Sequence, residues 1–451
     1  MKVLISGTGG TAGWPAQGCG CASCSRLSPD HRRPAEVVLG EPGEPVRLPH
    51  DLPALPTPQG PPSASAPDGW QDASPPGPGP VSGGGLPLSG PTGAGLPVGS
   101  GGSGRLPVGY RVSTGGDGLL LTTPGGRRVL YAVPPGHDGH AGARDLSRAG
   151  GGRTDGDTAD DAAGAGPALG TAGGPALGSA DDTARGPAED TACDLVLVDM
   201  LDRPELLGDL RRRGVVAERT HVVTVHVDHR VPSEAELARR ALLWGVRAVP
   251  DGTVLDLDEP APPRAPSPRR TLLLGGTRSG KSAEAELRLA AEPEVLYVAT
   301  GPSCGDDAEW GRRVRAHRER RPAHWDTVET TDLAGLLRTA ETPMLVDGLG
   351  TWVAAVFDEC DAWSDADAGR AGDGGRGADA VTARFDELVA AWRQTRCRVV
   401  AVSDEVGLGV VPATSSGRRF RDALGRLNQR LAAESEEVAL VVAGRLLPLP
   451  L

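Results

Sequence analysis

The sequence predicts an α/β protein of more than one domain, ending in a parallel sheet with helices on both faces. Three observations carry that expectation. An apolar run at 271–274 (TLLL) leads directly into GGTRSGKS at 275–282. Short apolar runs recur at 295–299, 344–346, 399–402 and 438–442, with helical stretches between most of them. That alternation is the pattern of parallel strands buried on both faces. A stiff, proline-rich PAPPRAPSP at 260–268 separates this regular region from everything before it.

The chain has 451 residues, room for two or three domains. It carries 65 Gly and 41 Pro with only 3% aromatics, so part of it is expected not to fold. A net charge of −12 argues against a general nucleic-acid binder. No apolar run reaches the length of a membrane span, and MKVLISGTGG lacks signal-peptide architecture. The expected setting is cytoplasmic and reducing, where seven cysteines do not form a disulfide framework.

In chain order, a strand at 3–5 runs into a glycine turn and GCGCASC at 18–24. Residues 28–106 are rich in Pro, Gly and Ser and read as a disordered insertion. Two or three antiparallel strands follow at 108–133. A second low-complexity stretch fills 136–192, where GPALG at 166–170 and 174–178 is compositional drift. DLVLVDM at 194–200 is a strand and 204–213 a helix. Residues 222–227 form a strand leading into HVDH, and 234–244 a second helix. The expected division is therefore 1–257, a linker at 258–270, and 271–451, with a surface loop at 364–380.

Residues 275–282 fit G-x-x-x-x-G-K-S, the phosphate-binding P-loop. Backbone N–H groups of Gly275, Gly276, Thr277, Arg278, Ser279 and Gly280 can crowd around phosphate oxygens. Lys281 can charge-pair the β/γ-phosphates and Ser282 can ligate Mg²⁺. Among 47 basic side chains, lysine occurs only at Lys2 and Lys281, so a compact point charge is kept for this site. A glycine-rich turn with a chance GKS would not have a strand before it and a helix after it. WGRRVRAHRERRPAHW at 310–325 reads as an arginine-rich helix with Trp310, Val314 and His317 on one face. His317 is either a packed histidine or a nucleophile able to carry a nucleotidyl group, with Arg313, Arg318, Arg320 and Arg321 available to phosphates. Asp347 ends the apolar strand MLVD and is either a Mg²⁺ partner or a helix-capping residue. VVAVSDEVGLGVVP at 399–412 brings Asp404 and Glu405 to a strand end, as ligand-facing acids or as a plain acidic turn.

Residues 271 to about 447 closely resemble the bifunctional adenosylcobinamide kinase / adenosylcobinamide-phosphate guanylyltransferases of cobalamin biosynthesis. GGTRSGKS, LYVAT, RVRAHRERRPAHW, VDGL, SDEVGLGVVP and RRFRDALGRLNQRLA carry the resemblance, in one order. The family's usual TNEVG stands here as Ser403-Asp404-Glu405-Val406-Gly407, which leaves the role of position 404 open. The resemblance implies two reactions: phosphorylation of adenosylcobinamide by a nucleoside triphosphate, ATP or GTP, then transfer of GMP from GTP to that phosphate. It implies that GMP passes through His317. It places nucleotide contacts on residues 275–282, on Ala299, Thr300 and Gly301, on Arg318, Glu319, Arg320 and Arg321, and on Glu329 and Asp347. A homo-oligomer is implied as well.

The N-terminal region resembles a different family, the metallo-β-lactamase-fold hydrolases of phosphodiesterase type. GTGGTAGWPAQGCGCASC matches their opening and HVDHRVPSEAEL with VPDG their closing segment. The resemblance implies a structural Zn²⁺ held by Cys19, Cys21, Cys24 and His229; the other reading is three free cysteines in a glycine loop. The H-x-H-x-D-H motif for two catalytic metals is missing, and His226 stands as a lone remnant. One ligand cannot hold a dinuclear centre, so this is expected to be a degenerate, inactive domain. Two rival functions follow: a nucleotide- and metal-binding scaffold whose catalysis has decayed, or a phosphodiester hydrolase working through the N-terminal region.

Overall fold

The computed structural model describes residues 1–40, 45–49, 106–133, 191–301, 321–363 and 376–450. Strand β1 (Lys2–Gly7) pairs antiparallel with β2 (Glu36–Gly40) and with β9 (Thr253–Asp256), and β2 pairs with β3 (Val46–Leu48). A second sheet runs β4 (Arg111–Gly115), β5 (Gly118–Thr122), β6 (Arg128–Ala132), β7 (Leu195–Val198) and β8 (His221–Thr224), with β6, β7 and β8 parallel. Alternate residues of β1 and β5 are buried, as expected for one covered face, whereas β7 and β8 are buried throughout. The two sheets share a core of Val3, Ile5, Val37 and Leu39 with Leu121, Val129, Leu195 and Leu197.

The other face of the second sheet carries α1 (Glu205–Arg212) and α2 (Glu234–Trp244), packed on Leu130, Val196 and Val198. Both ends of α2 are set by sequence. Ser233 accepts a hydrogen bond from the Glu236 N–H, and Gly245 turns the chain at φ 62°.

The low-complexity boundary at residue 28 requires correction, because β2 and β3 lie inside it. Each is a short apolar run between prolines and glycines, and pairing, of β2 with β1 and of β3 with β2, supplies what its own composition does not. The rest of that stretch, 41–44 and 50–105, and most of 136–192 lie outside the described residues.

The C-terminal sheet has the order β12-β11-β13-β14-β10-β15-β16. Its strands are β10 (Arg270–Gly275), β11 (Leu296–Ala299), β12 (Asp326–Glu329), β13 (Met344–Asp347), β14 (Val399–Asp404), β15 (Glu437–Val442) and β16 (Arg445–Pro448). The five expected strands are all present and parallel. Two edges are additions. β12 is largely exposed, and β16 returns antiparallel on β15 through a turn with Gly444 at φ 71°.

Helix α3 (Lys281–Leu289) covers one face, over Leu273, Leu345 and Val400. Helices α4 (Leu333–Thr339), α5 (Leu349–Glu359), α6 (Arg376–Gln394) and α7 (Ser415–Ala432) cover the other, over Leu272, Val346 and Ala401. Helix α6 begins at 376, so the loop expected to reach 380 ends earlier; 364–375 lie outside the described residues.

Candidate nucleotide site

At the carboxyl end of β10 the chain turns through residues 275–280 into α3, whose first residue is Lys281. Two glycines there are steric requirements. A Cβ at Gly275 would lie 2.5 Å from Ser279 Oγ and 2.7 Å from the Val441 carbonyl oxygen. Gly280 sits at φ 98°, where side chains are disfavoured, and faces Gly444. The Gly444 N–H donates to the Ser279 carbonyl at 2.7 Å, which ties the β15–β16 turn to the loop. The N-terminus of α3 thus opens onto the loop, with unpaired N–H groups and the positive end of the helix dipole.

Strand register brings the acids into position. Ala299 pairs with Glu329 on one side and with Asp347 on the other, so all three lie level at the sheet's carboxyl edge. Gly275 is level with Asp404. Ser282 Oγ donates to Asp347 Oδ1 at 3.0 Å, and Tyr297 OH donates to Asp347 Oδ2 at 2.6 Å. Burial, then the neighbouring Asp347 charge, pushes the Tyr297 phenol well above its usual range, so it stays a donor. Arg321 stacks over the Tyr297 ring, 3.2 Å from its centroid. Lys281 Nζ lies 2.8 Å from Asp404 Oδ1 and donates to the Gly276 carbonyl at 3.3 Å. Thr300 Oγ1 donates to the Gly348 carbonyl at 2.6 Å, anchoring the strand end that Gly301 follows.

The expected residues Gly275, Gly276, Thr277, Arg278, Ser279, Gly280, Lys281, Ser282, Ala299, Thr300, Gly301, Glu329 and Asp347 therefore all belong to this edge of one sheet. Arg321 is joined to it through Tyr297. His317, Arg318, Glu319 and Arg320 lie outside the described residues. Sequence reasoning missed Tyr297 and the Lys281–Asp404 contact. The signal for Tyr297 was its place in LYVAT, on the same strand face as Ala299.

A second cluster lies in the N-terminal region. One ligand atom from each of Cys19, Cys21, Cys24 and His229 lies within 4.8 Å of the others. Trp14 Nε1 donates to Ser23 Oγ at 3.1 Å, and Ser23 Oγ donates to the Val231 carbonyl at 2.7 Å, joining the cysteine loop to the histidine segment. His229 Nδ1 is buried with no hydrogen-bond partner among the described residues. A buried imidazole close to three sulfurs, with one ring nitrogen left unpartnered, fits a tetrahedral, soft metal site such as Zn²⁺. Nearby, Arg230 binds Asp199 at 2.9 Å, Asp202 at 2.7 Å and Asp228 at 2.8 Å, while Tyr131 OH and His226 Nε2 are 2.6 Å apart. A guanidinium occupies the space between these carboxylates.

Fold and site together define a phosphate-loop α/β unit that binds nucleotide at the carboxyl edge of a parallel sheet. Residues 271–449 match the cobinamide kinase / cobinamide phosphate guanyltransferase family. The chain is 37% identical over 183 residues to the bifunctional adenosylcobalamin biosynthesis protein CobU of Salmonella typhimurium, covering 38% of this chain and 95% of that protein. It is 43% identical over 188 residues to the bifunctional adenosylcobalamin biosynthesis protein CobP of Pseudomonas aeruginosa, covering 40% of this chain and 96% of that protein. The chain belongs to this family. Among solved structures it is similar to an ATPase of a bacterial type III secretion system, at 12% identity and a TM-score of 0.26, over 38% of this chain and 50% of that one. So low a score adds nothing to the assignment.

Proposed function

We propose that the C-terminal domain works in cobalamin biosynthesis as an adenosylcobinamide kinase and adenosylcobinamide-phosphate guanylyltransferase. The observation that carries this reading is the junction of Lys281, Ser282 and Asp347 in a chain of this family: a phosphate cation beside a hydroxyl and a carboxylate 3.0 Å apart. Ser282 and Asp347 would hold Mg²⁺, which neutralises charge on the triphosphate when bound. The loop N–H groups and Lys281 hold the phosphates, and Tyr297 fixes the rotamer of Asp347.

In the kinase step the alcohol oxygen of adenosylcobinamide attacks the γ-phosphorus, the bond to the β-γ bridging oxygen breaks, and nucleoside diphosphate leaves. In the transferase step an imidazole nitrogen of His317 attacks the α-phosphorus of GTP and pyrophosphate leaves. A phosphate oxygen of adenosylcobinamide phosphate then attacks the same phosphorus and breaks the N–P bond, giving adenosyl-GDP-cobinamide and free histidine. Arg318, Arg320 and Arg321 offset the charge, and Glu319 and Glu329 complete the nucleotide contacts.

Among the described residues no helix is long and apolar enough to cross a membrane; a cytoplasmic homo-oligomer suits the substrates. For the N-terminal region the reading is a structural Zn²⁺ on Cys19, Cys21, Cys24 and His229 in a domain without hydrolase chemistry. Its two stacked sheets, the second covered by α1 and α2, support that resemblance, and beside the lone His226 the Arg230 guanidinium is ion-paired to Asp199 and Asp228. The decayed-scaffold alternative is disfavoured by the intact Lys281, Ser282 and Asp347.

The test is a two-arm assay on purified full-length protein, one arm following phosphorylation of adenosylcobinamide and the other GMP transfer to its phosphate. Both activities should be present and both should be lost in Lys281→Ala, which removes a charge contact where negative charge develops. Absence of both from the wild type would leave the scaffold reading.

A further inference from the structure

We infer that the N-terminal domain is a built-in positioning partner of the phosphate loop: it docks on α3, the helix that begins with Lys281 and Ser282, and fixes that helix at both ends. The inference rests on the nucleotide-site reading above and gives a role to a region whose own hydrolase chemistry is missing.

Helix α3 has two working faces. Ala285 and Leu289 point into the sheet core. Leu287, and Ala291 just past the helix, instead pack into the cluster of α1 and α2, with Leu207, Leu210 and Trp244. Two polar contacts from the N-terminal domain then hold the helix, and a third holds the residue just past it. In the first turn, two residues after Ser282, Glu284 receives Arg239 through two bonds of 2.8 and 3.1 Å. In the last turn, Trp244 Nε1 donates to the Leu287 carbonyl at 2.8 Å. Just past the helix, Arg211 donates to the Ala291 carbonyl at 2.7 Å and to the Trp244 carbonyl at 2.7 Å. The last four carbonyls of a helix have no partner inside it and carry partial negative charge. An indole N–H on one of them and a guanidinium close by are the groups that suit this end. Arg211 is well buried, which together with nearby Arg264 pulls its pKa down; it is held there by carbonyl oxygens.

The close approach explains a glycine. Gly208 lies inside α1, where it costs about 1 kcal/mol against alanine. A Cβ there would be 2.5 Å from the Glu292 carbonyl oxygen and 3.1 Å from that of Ala290. The helix surrenders that propensity, and the segment after α3 can come this near.

The curated relatives are 95% and 96% covered by stretches amounting to 38% and 40% of this chain. Their length is accounted for without this domain, so the docking is a feature this chain adds. Helices are stiff, so fixing Glu284 and Leu287 also fixes where Lys281 and Ser282 stand relative to Asp347 and Asp404, which arrive on other strands.

The test uses the full chain. Trp244→Phe keeps an aromatic ring in place, smaller than the indole, and deletes the N–H; Arg239→Ala deletes the first-turn clamp; Arg239→Lys retains its charge. Affinity for a fluorescent GTP analogue is measured with hydrogen exchange over 281–289. Each deletion should weaken nucleotide binding about fivefold, the size of one net hydrogen bond. Exchange in α3 should rise while β10 and β14 stay protected, and Arg239→Lys should recover most of the affinity. In a second arm a protease site is placed in the exposed 260–268 linker and the folded protein is cut there. The halves should co-elute and keep nucleotide affinity. Unchanged affinity and exchange in the deletions, or halves that separate with the C-terminal half still binding at full strength, would overturn the inference. Binding and exchange are read without turnover, so a failure of the proposed enzymatic activity would be seen separately, in the two-arm assay.

Discussion

Asp404→Asn is expected to tighten nucleotide binding. Lys281 holds Asp404 at 2.8 Å, and that carboxylate lies level with Gly275 at the mouth of the loop. An incoming triphosphate must take Lys281 from it and then tolerate it as a neighbour of like charge. The Lys281 side chain is 13% exposed and the Asp404 side chain 36%, so solvent screens the pair substantially. Bare Coulomb energy at an effective dielectric of 20 would be about 4 kcal/mol at 4 Å, but partly exposed pairs are worth about 1 kcal/mol or less. The smaller figure decides, and 1 kcal/mol corresponds to about a fivefold fall in Kd. Asparagine is isosteric and is the residue the family usually carries there, so the fold should be undisturbed. Titration with a fluorescent GTP analogue at fixed Mg²⁺ reads the effect, which should shrink as salt is raised. An unchanged Kd would show that the ion pair is energetically silent. A raised Kd would refute the reasoning by making Asp404 a ligand for the bound nucleotide or its metal.

Two further outcomes follow from other parts of the molecule. Glu292 is the shared carboxylate between Arg264 at 3.1 Å and Arg398 at 2.6 Å, so Glu292→Gln leaves cations at this junction without their anion. Urea unfolding should show a loss of about 3 kcal/mol, and a loss below about 0.5 kcal/mol would mean the cluster is held by packing alone. Metal analysis should find about one zinc per chain, lost in Cys24→Ser; stripping a site saturated at about 100 Kd should cost about 2.7 kcal/mol of stability. Zinc-free protein with unaltered unfolding would return the cysteines to an unmetallated loop.

The P-loop was legible because its chemistry is local: strand, glycines, Lys281, Ser282 and helix follow within a dozen residues. The five central strands were legible because burial on both faces leaves continuous apolar runs. β12 was not, since its exposed DTVE carries one apolar residue and takes its place by pairing with β11. β2 and β3 were hidden by flanking proline and glycine. The Lys281–Asp404 and Tyr297–Asp347 contacts depend on strand order, which no single segment encodes. His229 lies more than two hundred residues from Cys24 and came with the resemblance, not from spacing. The docking of α1 and α2 on α3 was invisible for a related reason: an apolar helix face announces that it is covered, not by what.

The most direct measurement of the central claim uses GTP labelled at its α-phosphate, incubated with the full-length protein and resolved on a denaturing gel. A covalent label on the chain is expected, acid-labile and alkali-stable, the signature of a phosphoramidate. This label should be absent from His317→Ala, while that variant still phosphorylates adenosylcobinamide by direct in-line attack. No label on the wild-type protein, or a label that survives in His317→Ala and so moves the nucleophile to a residue such as His324, would contradict that claim.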